Sequence, residues 1–205
     1  MPPINVHDIL EFWFEGIDDG ILFDRGRTPF RKWFRKDPQF DQEIKVKYEK
    51  IYEQAKEDRF KEWEMSSQGR LALIILLDQF PRNMYRNTPQ MFAADKEALS
   101  QTLACVAGKK DKELMLIERV FCYMPLMHAE DPEMQERSVQ YYRQLVETAG
   151  MRKPDNSPYF EYTLQYAVAH RDIIARFGRF PHRNFMLQRE STSEEKEFLE
   201  TSPGF

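Results

Sequence analysis

Apolar positions recur along this chain at helical spacing. Between residues 38 and 65, Phe40, Ile44, Tyr48, Ile51 and Ala55 follow one another at three- and four-residue steps with lysines and glutamates between them. That is the stripe of a helix packed on one side only. Leu71-Ala72-Leu73-Ile74-Ile75-Leu76-Leu77 is instead apolar all round, which predicts a helix with neighbours on every side. No stretch alternates with the two-residue period of a strand.

Local punctuation divides the pattern. Asp37-Pro38, Thr88-Pro89, Asp131-Pro132 and Ser157-Pro158 each read as a helix start, because the side-chain oxygen accepts from a free N–H of the first turn and proline there gives up a donor that had no partner. Gly16, Gly108, Gly150 and Gly178 read as stops, glycine being suited to the left-handed residue that ends a helix. The pattern predicts about seven helices: Val6 to Glu15, Pro38 to Met65, Gln68 to Phe80, Pro89 to Ala107, Lys112 to Tyr123, Pro132 to Ala149 and Pro158 to Phe177. A short eighth over Glu194 to Glu200 brings the expectation to seven or eight helices in one all-α domain spanning residues 1–205.

Composition narrows the possibilities without naming an activity. The 205 residues are 41% hydrophobic and 31% charged, with 8 glycines and no Gly/Ser-rich linker, so a single core is expected and disorder is not. A formal net charge of -4 argues against a basic face for nucleic acid or anionic membrane. Met1-Pro2-Pro3 does not open like a signal peptide and the longest aliphatic run is too short to span a bilayer; the expected location is cytoplasmic. Cys105 and Cys122 have no CxxC spacing and sit among apolar neighbours, which points to buried reduced thiols. GxGxxG, GxxxxGK[ST] and GxSxG are all missing, which removes the dinucleotide, P-loop and serine-hydrolase readings. Trp13, Trp33 and Trp63 read as core or interface anchors.

Candidate chemistry gathers around two related segments, Leu76-Leu77-Asp78-Gln79-Phe80-Pro81-Arg82-Asn83 and Arg176-Phe177-Gly178-Arg179-Phe180-Pro181-His182-Arg183-Asn184. Each closes an apolar stretch with Phe-Pro and then presents basic residues and asparagine. Asp78 stands out, since a carboxylate in a central apolar helix is costly unless paired; Arg82, Arg86 and His182 are the candidate partners. Residues 170–189 hold His170, Arg171, Arg176, Arg179, His182, Arg183 and Arg189 against one acid, Asp172. Guanidinium forks match carboxylate and phosphate oxygens, so Arg82, Asn83, Arg179, Arg183 and Asn184 are candidate binders of a small anionic metabolite. The same arginines could instead pair with the chain's own acids. Asp78, His128, Glu130, His170 and His182 are the candidate acid/base groups. Pro125 is expected to interrupt its helix near His128, and His128 with Glu130 and either His170 or His182 could form a two-His, one-carboxylate metal site. The spacing does not specify one, and neither a metal nor a cofactor is assigned. His170 shares a helix face with Tyr162, Tyr166, Ile173 and Phe177, so it points inward and needs a hydrogen bond. The acidic segment Glu190 to Glu200 either solvates the C-terminus or caps the site.

These residues resemble a known family. Ile9-Leu10-Glu11-Phe12-Trp13-Phe14, Lys32-Trp33-Phe34, the segment from Leu76 to Asn83, Tyr123 to Glu130, His170-Arg171-Asp172 and Arg179 to Asn184 together are similar to the bacterial proteins grouped as domain of unknown function 924. The resemblance implies an all-helical, tetratricopeptide-like fold and no established reaction. It also implies a serine before the glutamate of the Met-His segment, where this chain has Ala129, so a hydroxyl is missing from any mechanism that needs one. Two readings stand at this point: a pocket for a small anionic ligand, catalytic or not, and a helical interaction module whose groove takes a peptide or protein, with Tyr141 and Tyr142 as anchors. Oligomeric state is not legible.

Overall fold

The computed structural model describes residues 4–19, 22–23 and 30–202, and among them there is no β-strand. Its helices are α1 (Val6–Phe14), α2 (Phe30–Phe34), α3 (Pro38–Lys56), α4 (Ser67–Ile74), α5 (Phe80–Met84), α6 (Asp95–Ala107), α7 (Leu116–His128), α8 (Pro132–Arg152), α9 (Ser157–Phe177) and α10 (Ser193–Thr201). Helix α4 runs without a break through a π-helical turn, Ile75–Gln79, into α5. The all-α expectation therefore holds.

The continuous rod from α4 to α5 lies at the centre, and every residue from Leu71 to Pro81 is buried. Helices α1, α6 and α7 pack against α4, while α3 packs against α5. Around the rod, Trp13, Trp33, Phe80 and Phe121 form an aromatic cluster, with Trp33 to Phe121 centroids 4.7 Å apart and the Trp33 indole N–H donating to the Trp13 carbonyl at 2.8 Å. Edge-to-face pairs of this kind add to the burial of their large apolar area. The expected stripe of α3 is observed: Ile44, Tyr48, Ile51 and Ala55 are buried and Phe40 packs against the core. Consecutive helices α6 to α9 pack side by side through short connections.

Several boundaries differ from expectation for identifiable reasons. Asp37 and Asp131 cap their helices as expected, accepting from Gln39 and Phe40 and from Met134. Thr88 instead donates its hydroxyl to the Tyr85 carbonyl, so Pro89–Phe92 is a single tight turn and α6 starts only at Asp95. Helix α3 stops at Lys56, short of Met65. Residues Lys110–Glu113 form their own turn, so α7 begins at Leu116. Ser157 is the first helical residue of α9 and does not cap it. Gly16 and Gly178 take the left-handed conformation (φ 71° and 68°), but Gly108 does not, the adjacent Lys109 doing so at φ 56°. Gly150 lies inside α8, which continues to Arg152.

Both internal prolines are accommodated without ending a helix. Pro81 lacks an N–H and would collide with the carbonyl four residues back in a regular α-helix. The turn before it is widened, the Phe80 N–H reaching the Ile75 carbonyl five residues away, so the first Phe-Pro continues the helix it was expected to close. Helix α7 likewise runs past Pro125 to His128. The Gln135 side chain then donates to the carbonyls of Met127 and Ala129, both at 2.7 Å. That amide, reaching over from α8, holds the end of α7 where His128 sits. Cys105 and Cys122 are buried free thiols with sulfurs 3.6 Å apart.

Candidate functional site

Asp78 is presented by the π turn and is 0% exposed. Its Oδ1 lies 2.7 Å from His128 Nδ1 and 3.3 Å from Arg82 Nη2, while the Gln79 amide donates to Oδ2 at 2.5 Å. Such widened turns recur at functional sites because they re-aim side chains that a regular helix would place elsewhere. Burial alone would raise the Asp78 pKa, but Arg82 and His128 outweigh it and hold the carboxyl below the usual range. Burial, and then Arg82, push the His128 imidazole pKa down against the pull of Asp78. The pair is therefore a carboxylate facing a neutral imidazole. Since a carboxylate only accepts, Nδ1 must carry the ring proton and Nε2 must carry the lone pair. Nε2 has no hydrogen-bond partner among the described residues.

Two arginines from distant parts of the sequence meet at this centre. Arg82 donates to Asp95 Oδ1 at 2.9 Å and to the Met91 carbonyl at 3.0 Å. Arg183, 6% exposed, donates to Asp95 Oδ2 at 3.4 Å and to the His128 carbonyl at 3.0 Å, its guanidinium lying 4.7 Å from the Phe92 ring and 4.5 Å from Phe180. Burial, and then Arg82, lower the Arg183 pKa to about 10. Arg82 Nη2 and Arg183 Nε are buried donors with no aligned acceptor among the described residues. Unmatched buried donors are uncommon and mark a place where an acceptor would be stabilising. His170, 6% exposed, completes the wall: its ring centroid is 6.3 Å from that of His128 and its Nδ1 lies 2.8 Å from the Tyr166 carbonyl. Burial, with His128 next, pushes its pKa down to about 3. The inward-pointing, hydrogen-bonded histidine is thus observed, but it shares its buried face with Thr163, Ala167 and Ile174, and Tyr166 of the expected face is 38% exposed.

Other candidates are held elsewhere. Glu130 is clamped by Arg189 at 2.6 and 2.9 Å and accepts from the Phe180 N–H at 2.8 Å, so it braces the second Phe-Pro turn, with its charge near His182 and Arg183. No group of three or more metal-ligating side chains occurs among the described residues. Arg179 is bonded through two nitrogens to Glu195 of α10 at 2.7 and 2.8 Å. Asn184 also donates to Glu195, at 3.2 Å. The acidic C-terminal segment is therefore partly a clamp, with Glu195 2% exposed and its pKa held to about 2, chiefly by Arg179. Asn83 bonds the Gln79 carbonyl and Arg86, and Arg86 pairs with Asp41 at 2.7 and 2.8 Å. His182 packs 5.6 Å from Phe180, its pKa lowered to about 4 by burial and then Arg183. Tyr142, expected as an exposed anchor, is buried with its hydroxyl on the Val120 carbonyl at 2.7 Å. Sequence reasoning missed Asp95, which bridges both arginines, because a helix starting at Pro89 would have made it a mid-helix solvent acid.

A family profile described as a bacterial protein of unknown function, DUF924, matches residues 9–203. The chain belongs to the DUF924 family. Its fold is similar to the solved structure of a protein of unknown function, ATU0120 from Agrobacterium tumefaciens, at 34% identity and a TM-score of 0.79, covering 96% of this chain and 97% of that one. A comparison with curated proteins finds no match. Within this DUF924 chain no described helix is long and apolar enough to cross a membrane.

Proposed function

We propose that the His128 centre of this DUF924 protein takes a small anionic ligand and moves a proton on it. The observation that carries the reading is the Asp78–His128 pair at 2.7 Å with His128 Nε2 unengaged, beside Arg82, which is paired with Asp78 and Asp95, and the buried Arg183 Nε, which has no acceptor among the described residues. Asp78 orients the imidazole and stabilises the imidazolium that forms when Nε2 accepts a proton. Arg82 Nη2 and Arg183 Nε supply hydrogen bonds to an acidic oxygen. Asp95 tempers the positive charge, so the ligand is bound by directed donors more than by net charge. The tetratricopeptide-like kinship and the cytoplasmic location remain expectations of the same reading.

The test is thermal unfolding of the wild type and of Arg183→Met and His128→Gln against inorganic phosphate and a panel of small mono- and dicarboxylates. A ligand at a hundred times its Kd stabilises the native state by about 2.7 kcal/mol, roughly 5–11 °C for a chain of this length. Stabilisation by an anion that Arg183→Met loses supports the reading. Loss of turnover with retained binding in His128→Gln would assign the proton step. No shift with any anion, in folded protein, overturns it.

A further inference from the structure

A cleft of about 700 Å³ opens at the other end of α7, some 15 Å along the helix from His128 at 1.5 Å per residue. Its walls are apolar, among them Leu10, Phe14, Ile17, Trp63 and Met115, and its charged lining residues are the acids Glu11, Asp18 and Glu118. No lysine or arginine is among the described residues that line it, and His7 is the one basic side chain there. The volume falls within the usual range for small-molecule sites.

Glu118 is the unusual member. It is 3% exposed and makes no ion pair among the described residues. Its Oε2 accepts from the Met115 N–H at 2.9 Å and from the Gln68 amide at 3.3 Å, while Oε1 accepts from no described residue. Gln68 Oε1, next to it, is buried and has no donor among the described residues. Asp19 adds a further carboxylate close by, accepting from the Leu116 and Ile117 N–H groups at 2.8 and 3.3 Å. A buried carboxylate without a counter-charge is costly, and burial does raise the Glu118 pKa. Among the described residues, Glu118 Oε1 and Gln68 Oε1 therefore have no donor in an apolar cleft lined by acids and by no Lys or Arg.

We propose that this cleft binds a small organic cation, an ammonium group carried on an apolar body, with Glu118 Oε1 as the anchor and Gln68 Oε1 as a second acceptor. The ammonium supplies the missing donors and charge, and its body lies on Phe14 and Trp63, whose ring faces also attract cations. A hydrated metal ion fits poorly, because the apolar walls offer nothing to its remaining water ligands.

The proposal is tested by isothermal titration and 15N-resolved NMR of the full chain with phenethylamine, tryptamine and hexylamine. The controls are 2-phenylethanol, 3-phenylpropionate and calcium chloride. At least one amine should saturate, perturbing the Trp63 indole and the backbone of α1 and of Leu116 to Glu118, with 2-phenylethanol at least tenfold weaker and the acid not binding. Glu118→Gln, which keeps the cap on Met115, should weaken the amine at least tenfold with the fold intact. Leu10→Arg, placing a cation in the wall at a half-buried position, should abolish binding whether or not the Glu118 variant folds. Equal affinity for amine and alcohol, unchanged binding in either folded variant, calcium binding in place of the amine, or failure of every amine to saturate would each overturn the proposal. None of these readouts depends on the anion site at His128.

Discussion

Replacing Asp78 by asparagine removes one negative charge from a position with no solvent exposure while preserving shape. Three contacts at 2.5 to 3.3 Å are affected, from Gln79, His128 and Arg82. The charges of Asp78, Asp95, Arg82 and Arg183 cancel in the wild type; in the variant the cluster carries a net positive charge in a largely desolvated place. Breaking a buried pair by removing one partner costs about 3–5 kcal/mol, because the remaining charge is uncompensated. At the lower end of that range the melting temperature should fall by roughly 6–12 °C for a domain of this size. Urea unfolding at pH 7, followed by far-UV circular dichroism, measures the loss, and adding Arg82→Gln should recover part of it, with a coupling of about 1–3 kcal/mol. A loss below about 1 kcal/mol, or a gain, would refute the claim that Arg82 and His128 outweigh the burial of Asp78.

Stability should also fall on acidification from pH 7 to 5. The unfolded chain protonates His170 below about 6.5, whereas the folded chain keeps it neutral down to about 3. Its contribution is therefore complete above 6.5 and lost as pH falls, by about 2 kcal/mol at pH 5, and His170→Gln should show a correspondingly flatter profile. Glu195→Ala removes the acceptor of Arg179, Asn184 and the Thr192 N–H; limited proteolysis should then cut ahead of α10 before the core opens, and cleavage no earlier than in the wild type would count against the clamp. Gln135→Leu leaves the Met127 and Ala129 carbonyls unmatched and should destabilise by about 1–3 kcal/mol in urea. The His128 ring resonances should shift with it. Cys105 and Cys122 should resist a thiol reagent in native protein and react together on unfolding; rapid modification of folded protein would contradict their burial.

The helical framework was legible because burial on one side of a helix imposes a period on the sequence, as along Phe40 to Ala55, and burial on all sides removes it, as along Leu71 to Leu77. Caps that act within four residues, such as Asp37 and Asp131, were legible for the same local reason. What escaped depends on partners far away in sequence. Pro81 reads as a stop unless the widened turn before it is known, and Gly150 reads as a cap although α8 runs through it. Thr88 has the right chemistry to begin a helix but spends its hydroxyl on Tyr85. In the site, Asp78, Arg82, His128, His170 and Arg183 were chosen by type and do gather; Arg179, Asn184 and Glu130 were chosen by the same signal and are occupied by Glu195 and Arg189. Local charge counting cannot separate these groups, because the neutralising acids lie as far as 88 residues away, as Asp95 does from Arg183.

The widened turn at Ile75–Gln79 makes the centre sensitive to length more than to composition. A regular helix advances 100° per residue, so deleting one residue within the turn would swing Arg82 and Asn83 about a quarter of the way round the rod relative to Leu71–Ile74. Arg82 would leave Asp95, and Phe80 would turn out of its 4.7 Å contact with Tyr48. Relatives that keep the same Asp78–Arg82–His128 arrangement should therefore tolerate many substitutions along this rod but keep its number of residues between Leu71 and Arg82, so that spacing, more than identity, is the signature to look for.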